Sequence, residues 1–204
     1  MPSYRRLIQE VRGVRGEKKV IVLDAAKPYL LTCLYHHLGI PILLITARPE
    51  RAKQLYGETL LWFGSDALVK LFPEPDALPY ERLSSDSYTV QQRLRVLSNL
   101  SEGAEFPLVI ASAYAAVCKT VPAVDFASSC HMLRKGVKVN LEQMLAKWIK
   151  LGYEMENTVE LPGTVSRRGG IIDIYPPSSD LPARIDLCGD EVESIRIFDP
   201  ASQR

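Results

Sequence analysis

Residues 40–63 have the sequence IPILLITARPERAKQLYGETLLWF, and this stretch decides the fold class. The apolar run Ile40–Thr46 is typical of a strand that is buried on both faces. Pro49–Phe63 has the length and spacing of a helix, with a proline at its start and Gly64 just after its end. A buried strand that leads directly into a helix is the repeating unit of a parallel α/β sheet.

The same alternation continues on both sides of this stretch, through about residue 118. It predicts a parallel sheet that is covered by helices on both faces. The expected helices are Lys27–Leu38 and Asp86–Leu100, and the expected strands are Val20–Leu23, Leu68–Phe72 and Leu108–Ala111.

The pattern changes after Lys119. Asn140–Leu151 is predicted to be a helix, with Asn140 as its N-cap and Gln143 at the capping-box position. Short strands separated by turns follow, as in an antiparallel meander, and they predict a small α+β domain. Met132–Gly136 is expected to be a strand that enters a turn; the later strands are expected at 154–161, 169–175, 183–187 and 193–198. The two domains are therefore predicted to span residues 1–120 and 121–204.

Composition excludes several classes of protein. Of the 204 residues 47% are hydrophobic, as in a packed soluble protein, and a net charge of +1 gives no general attraction for nucleic acid. The four cysteines form no CxxC pair, and the three histidines lie at no metal-ligand spacing, which predicts reduced thiols, no metal site and a cytoplasmic location. No apolar run reaches the roughly 18 residues that a membrane span needs.

A parallel α/β sheet raises the question of nucleotide binding. A P-loop needs the pattern GxxxxGK[ST], whose backbone amides and lysine hold phosphate. Here the expected first strand leads into Asp24-Ala-Ala-Lys27-Pro28, which has no glycine and no hydroxyl residue after the lysine. Lys27 is better explained as a solvated residue of a first helical turn. The sequence therefore predicts no functional P-loop and no bound cofactor.

Other catalytic patterns are also missing, because the sequence contains no GxSxG, HExxH or GxGxxG. Asp186, Asp190, Glu191 and Glu193 could suggest a metal or acid–base site. A turn with outward-facing carboxylates explains these four residues more simply. We therefore predict that the chain has no catalytic residues.

Three stretches resemble one family. Residues 41–58, PILLITARPERAKQLYGE, resemble a strand–turn–helix of the excision repair protein UvrB. LPYE at 78–81, followed by Gln92-Arg-Leu94, is similar to a pattern of bacterial transcription-repair coupling factors. The third stretch is the most specific for coupling factors: RRGGIIDIYP at 167–176, PARIDL at 182–187, GDEVESIR at 189–196, then FDP at 198–200 and SQR at 202–204.

The resemblance covers about residues 17–204 and implies the N-terminal, UvrB-like module (UvrB domains 1a and 2) of a coupling factor (Mfd). Such a module has a RecA-like α/β domain without a P-loop and a small inserted α+β domain. It acts as a non-catalytic adaptor that recruits UvrA, the damage-recognition ATPase, to RNA polymerase stalled at DNA damage. The chain is expected to be a fragment of such a longer protein. In the whole protein, RNA polymerase, double-stranded DNA and its own C-terminal domain are further implied partners, and no membrane is expected.

The resemblance also implies which residues contact UvrA. The arginine before the glycine in the RG…D(I/L)(F/Y)P pattern is Arg168, and the arginine of PxRxD is Arg184. A position four residues later is often aromatic in the family but is Cys188 here. Arg167 is a weaker candidate. Arginine suits such a role because its planar guanidinium forms paired hydrogen bonds with carboxylates. The alternative is that Arg167 and Arg168 lie in a solvated turn and pair with Asp180, Asp186 or Glu193.

Three other functions stay open at this point. The chain could be a fragment of an ATP-dependent, UvrB-like helicase, which the missing P-loop argues against. It could be a DNA-binding module, which its balanced charge argues against. The resemblance also implies regulation, in which a C-terminal domain masks the UvrA-binding surface of the full-length protein.

Overall fold

The computed structural model of the chain describes residues 2–13, 16–64, 68–75, 87–102 and 107–203. The chain divides into two compact units, residues 1–119 and 120–204. The LPYE pattern at 78–81 lies outside the described residues.

The first unit contains a three-stranded parallel sheet with the strand order β1-β3-β2. The core of this unit forms where Ala52 of α3 packs on Val69, Leu108 and Ile110 of the sheet. The helices are α1 (Pro2–Gly13), α2 (Lys27–Leu38), α3 (Pro49–Phe63), α4 (Ser87–Glu102) and α5 (Ala113–Val117), and the strands are β1 (Ile42–Thr46), β2 (Val69–Phe72) and β3 (Leu108–Ser112).

Proline and glycine set the bounds of the two central helices as the sequence predicts. Helices α2 and α3 each have a proline in their first turn. They end at Gly39 and Gly64, whose φ angles of 61° and 68° lie in the left-handed region that glycine adopts without strain. The predicted α/β class of this half is therefore confirmed.

Two expectations about the first unit are wrong. Val20–Leu23 does not form a strand, and its side chains Ile21 and Leu23 are exposed. Leu43 and Ile45 of β1 are also exposed, so the helices of the described residues do not cover both faces of this strand as expected. An apolar run gives a segment the propensity for a strand, but the strand forms only where a neighbour satisfies its backbone groups.

The second unit contains a five-stranded sheet in which the strands follow chain order. Strands β5 to β8 form an antiparallel meander of the predicted kind, although β5 itself was not among the predicted strands. Strand β4 runs parallel to β5, so the sheet is mixed. The helices are α6 (Ala123–Ser129) and α7 (Leu141–Lys150), and the strands are β4 (Glu154–Met155), β5 (Thr164–Arg168), β6 (Ile171–Ile174), β7 (Ala183–Cys188) and β8 (Glu191–Ile197).

Helix α7 begins as predicted, because the Asn140 side chain accepts a hydrogen bond from the Gln143 amide at 3.0 Å. It packs Met144, Leu145 and Trp148 against the sheet. The expected strand at 132–136 is wrong, since only a turn forms there, and only two residues of the expected strand at 154–161 are in the sheet. Among the described helices of both units, none has the length and apolar character to cross a membrane.

Candidate protein-binding surface

The five-stranded sheet has one face that α7 covers and one that α7 does not. The covered face carries the apolar residues Val165, Ile172, Ile174, Ile185 and Val192. Side chains alternate along a strand, so the intervening residues point to the other side. We call that side the open face; it comprises Ser166, Arg168, Ile171, Asp173, Arg184, Asp186, Cys188, Ser194 and Arg196.

The register of the strands places acidic and basic residues of the open face side by side. Asp173 lies between Ser166 and Arg184, its partners on the two neighbouring strands. Asp186 lies opposite Ser194 on β8. Cross-strand neighbours are close enough for direct side-chain contact, so the register decides which charges on this face neutralise each other.

Arg184 is held by a carboxylate beneath it. Its Nε and Nη2 atoms donate to the two oxygens of Asp173 at 2.7 and 2.8 Å. The guanidinium carbon also lies 4.8 Å from the ring centre of Phe198, and Nη1 donates to the carbonyl of Gln203 at 3.5 Å. The hydrogen bonds to Asp173 raise the pKa of Arg184. The side chain of Arg184 is nevertheless 24% exposed, against 2% for Asp173, so a partner can still reach the guanidinium.

Two segments close the part of the open face around Asp173. Ser166 is buried and donates to the carbonyl of Asn157 at 3.1 Å. Gln203 donates to the carbonyl of Val159, which is fully buried. Asp173 is therefore enclosed within the folded unit, and its carboxylate needs Arg184 as a counter-ion.

Arg168 has a different environment at the exposed end of β5. Its Nη2 donates to the carbonyl of Asn157 at 3.2 Å. No carboxylate of the described residues forms an ion pair with it. It lines a shallow cavity of about 360 Å³, together with Met155, Glu156 and Ser166 among others. Arg168 is thus a cation with donors available to a partner.

The other two candidates lie on different sides of the sheet. Cys188 is exposed at the end of β7, on the open face with Arg168 and Arg184. Arg167 alternates with Arg168 and lies opposite Ile172, so its side chain is on the face that α7 covers, although Arg167 also lines the cavity beside Arg168. The structure therefore brings Arg168, Arg184 and Cys188 to one face and does not bring Arg167 there.

Asp186 forms a second ion pair on the open face. Its carboxylate accepts from Ser194 at 2.5 Å and from Arg196 at 2.7 Å. The Ser194 hydrogen bond, with help from Arg196, lowers the pKa of Asp186. In the described part of the chain Asp186 pairs with Arg196, and neither Arg167 nor Arg168 forms the ion pair that the solvated-turn interpretation expected.

Sequence reasoning missed the role of Asp173, although a signal for it was present. Asp173 lies between Ile172 and Ile174, two residues of the core. A carboxylate inside an apolar strand needs a partner on a neighbouring strand. Which residue supplies that partner depends on the strand register, and the structure shows that it is Arg184.

The turn before α2 differs from a phosphate-binding loop. Residues Asp24–Ala26 form a 3-10 helix, and the Lys27 ammonium lies 2.5 Å from the carboxylate of Asp24. Arg51 lies 3.5 Å from the same carboxylate. The hydrogen bond from Lys27 lowers the pKa of Asp24, so the lysine lies beside an ionised carboxylate. In the described ranges there is also no cluster of three His, Cys, Asp or Glu residues that could hold a metal ion.

Comparison with known proteins gives a family match in the second unit and relatives that match nearly the whole chain. Residues 132–204 match the family model described as the UvrB interaction domain. The transcription-repair-coupling factor of Bacillus subtilis is 34% identical over 193 residues, which cover 94% of this chain and 16% of that protein. That of Myxococcus xanthus is 28% identical over 206 residues, covering 98% of this chain and 17% of the relative.

This chain is homologous to the transcription-repair-coupling factors and carries a UvrB interaction domain. The UvrABC system protein B of Thermosipho africanus is also similar, at 28% identity over 99% of this chain and 32% of that protein. The chain therefore spans about a sixth of the length of the coupling factors that it matches. The open face, with Arg168, Arg184 and Cys188, lies entirely within the UvrB interaction domain.

Proposed function

We propose that this chain is a non-catalytic adaptor that binds UvrA through the open face of its UvrB interaction domain. The observation that carries the proposal is the arrangement of Arg168, Arg184 and Cys188 on one face of one sheet. Arg184 is fixed by an ion pair, and Arg168 has guanidinium N–H donors beyond the one that binds the Asn157 carbonyl. Arginines in such settings are frequent binding hot spots, and they recognise carboxylates through their planar fork.

In the cell, we propose that this adaptor recruits UvrA to RNA polymerase stalled at DNA damage. The homology to transcription-repair-coupling factors supports this role, as does the match to the UvrB interaction domain. RNA polymerase, double-stranded DNA and a C-terminal domain that masks the open face would be partners of the longer protein. A cytoplasmic location and a RecA-like ancestry of the first unit belong to the same proposal.

The proposal assigns no ATP-dependent reaction to this chain. What supports it is the turn before α2, where Lys27 forms an ion pair with Asp24 and the sequence has no phosphate-binding glycine loop. The balance of 25 basic and 24 acidic residues likewise supports a protein partner over nucleic acid.

The experiment is to measure the binding of immobilised chain to purified UvrA, to duplex DNA and to ATP. UvrA is expected to bind at both 50 mM and 200 mM salt, and Arg168→Ala is expected to weaken this binding about thirtyfold, the equivalent of roughly 2 kcal/mol. Binding to DNA that collapses at the higher salt, without UvrA binding, would favour the DNA-binding alternative. Stoichiometric ATP binding would favour the helicase alternative.

A further inference from the structure

Asp173 carries a buried carboxylate to which the proposed function assigns no role of its own. Only 2% of its side chain is exposed, and it lies in the middle of β6 between two core isoleucines. Isolated buried carboxylates are strongly unfavourable, so the sheet keeps this one because it is paired with Arg184.

The contacts of Arg184 fix the position of its guanidinium from three directions. Asp173 accepts from Nε and Nη2, the Phe198 ring lies beneath the guanidinium carbon, and the Gln203 carbonyl accepts from Nη1. A guanidinium has five N–H donors. One N–H on each of the two Nη atoms therefore remains, at a side chain that is partly exposed.

We propose that Asp173 is a positioning residue, which holds the Arg184 fork in the orientation that binds an acidic group of UvrA. The inference rests on the proposed function and deepens it. A free arginine samples many rotamers, and a partner must immobilise it on binding; a guanidinium that is already fixed avoids that cost. Asp173 does not touch the partner, so its effect on affinity passes entirely through Arg184.

The test is a double-mutant cycle on the full chain with purified UvrA. Asp173→Asn is expected to weaken binding about tenfold, which is the upper range for immobilising one long side chain. Arg184→Gln is expected to weaken binding about thirtyfold, and adding Asp173→Asn to it should cause no further loss. Asp125→Asn removes an exposed carboxylate of α6 and serves as the matched control, with affinity within twofold of wild type.

Binding is compared only among folded proteins, as judged by near-ultraviolet circular dichroism. An unchanged dissociation constant for folded Asp173→Asn would show a merely structural role and overturn the inference. A further tenfold loss in the double variant would also overturn it, because Asp173 would then act independently of Arg184.

A second variant covers the case in which Asp173→Asn does not fold. Asp173→Glu keeps the ion pair but moves the carboxylate by one methylene, so it is expected to displace the guanidinium and to weaken binding. Wild-type affinity in Asp173→Glu would overturn the inference while the proposed function stands. If the wild-type chain does not bind UvrA at all, the proposed function fails and the inference fails with it.

Discussion

Replacing Arg184 with alanine tests how far the second unit depends on its buried ion pair. The substitution removes both hydrogen bonds to Asp173 and leaves a carboxylate that is 2% exposed without its counter-ion. Breaking a buried pair by removing one partner typically costs 3–5 kcal/mol. Because the side chain of Arg184 is 24% exposed, we expect a value at the lower end, about 3 kcal/mol.

The direction in which a second substitution, Asp173→Asn, changes the stability gives a further test of this expectation. Adding Asp173→Asn to Arg184→Ala removes the uncompensated charge and leaves a neutral amide. The double variant is therefore expected to be more stable than Arg184→Ala alone, by about 1 kcal/mol. Such a recovery is not expected if Arg184 contributes only through the contact of its guanidinium with the Phe198 ring.

The two tryptophans allow the second unit to be followed separately. Trp62 lies in α3 of the first unit, and Trp148 is buried in the core of the second. In a Trp62→Phe background, Trp148 emission during urea unfolding reports the second unit. A destabilisation below about 1 kcal/mol for Arg184→Ala would show that the ion pair does not stabilise this unit, and so would a double variant that is no more stable than this single variant.

Three further predictions concern the same unit. His131 accepts a hydrogen bond from the Trp148 indole, and its burial, together with the nearby charge of Lys147, lowers the pKa of His131. The free energy of unfolding should therefore fall as the pH drops below about 6.5. The variant His131→Asn should remove this loss, as measured by urea unfolding from pH 7.5 to 5. Gly170→Ala should destabilise the unit by about 1–3 kcal/mol in the same assay, because an added Cβ would lie 2.9 Å from the Leu187 carbonyl oxygen. Cys188→Phe should tighten UvrA binding about fivefold in a titration, because it adds apolar area to the open face, whereas Cys188→Ala should stay within twofold.

Each of these predictions has a result that would contradict it. Unchanged pH dependence in His131→Asn would mean that protonation of His131 does not cause the loss of stability. Wild-type stability of Gly170→Ala would mean that the strands separate easily at this point. Weaker UvrA binding in Cys188→Phe would place position 188 outside the interface or in a site too small for an aromatic ring.

Local signals in the sequence predicted part of the fold well. Helices α2 and α3 have their predicted bounds, because proline and glycine act within one or two residues of a helix end. The N-cap of α7 was predictable for the same reason. Strands were harder to predict, and Val20–Leu23 shows that an apolar run alone does not make one.

The missed strand β5 shows the opposite error. Thr164–Arg168 contains polar residues on both faces and lacks the apolar alternation of a typical strand. Ser166 is nevertheless buried because it donates to the Asn157 carbonyl, a contact that depends on the folded loop. The candidate residues Arg168, Arg184 and Cys188 came from family resemblance, whereas their common face and the role of Asp173 required the register of the sheet.

Two adjacent arginines on opposite faces of β5 provide the clearest test of whether UvrA binds the open face. Arg167→Ala and Arg168→Ala remove the same side chain from consecutive positions of β5, so both change net charge and strand propensity equally. Titrations with UvrA are expected to give about thirtyfold weaker binding for Arg168→Ala and less than about threefold for Arg167→Ala. Equal losses for the two variants, or a larger loss for Arg167→Ala, would contradict the assignment of the open face as the binding surface.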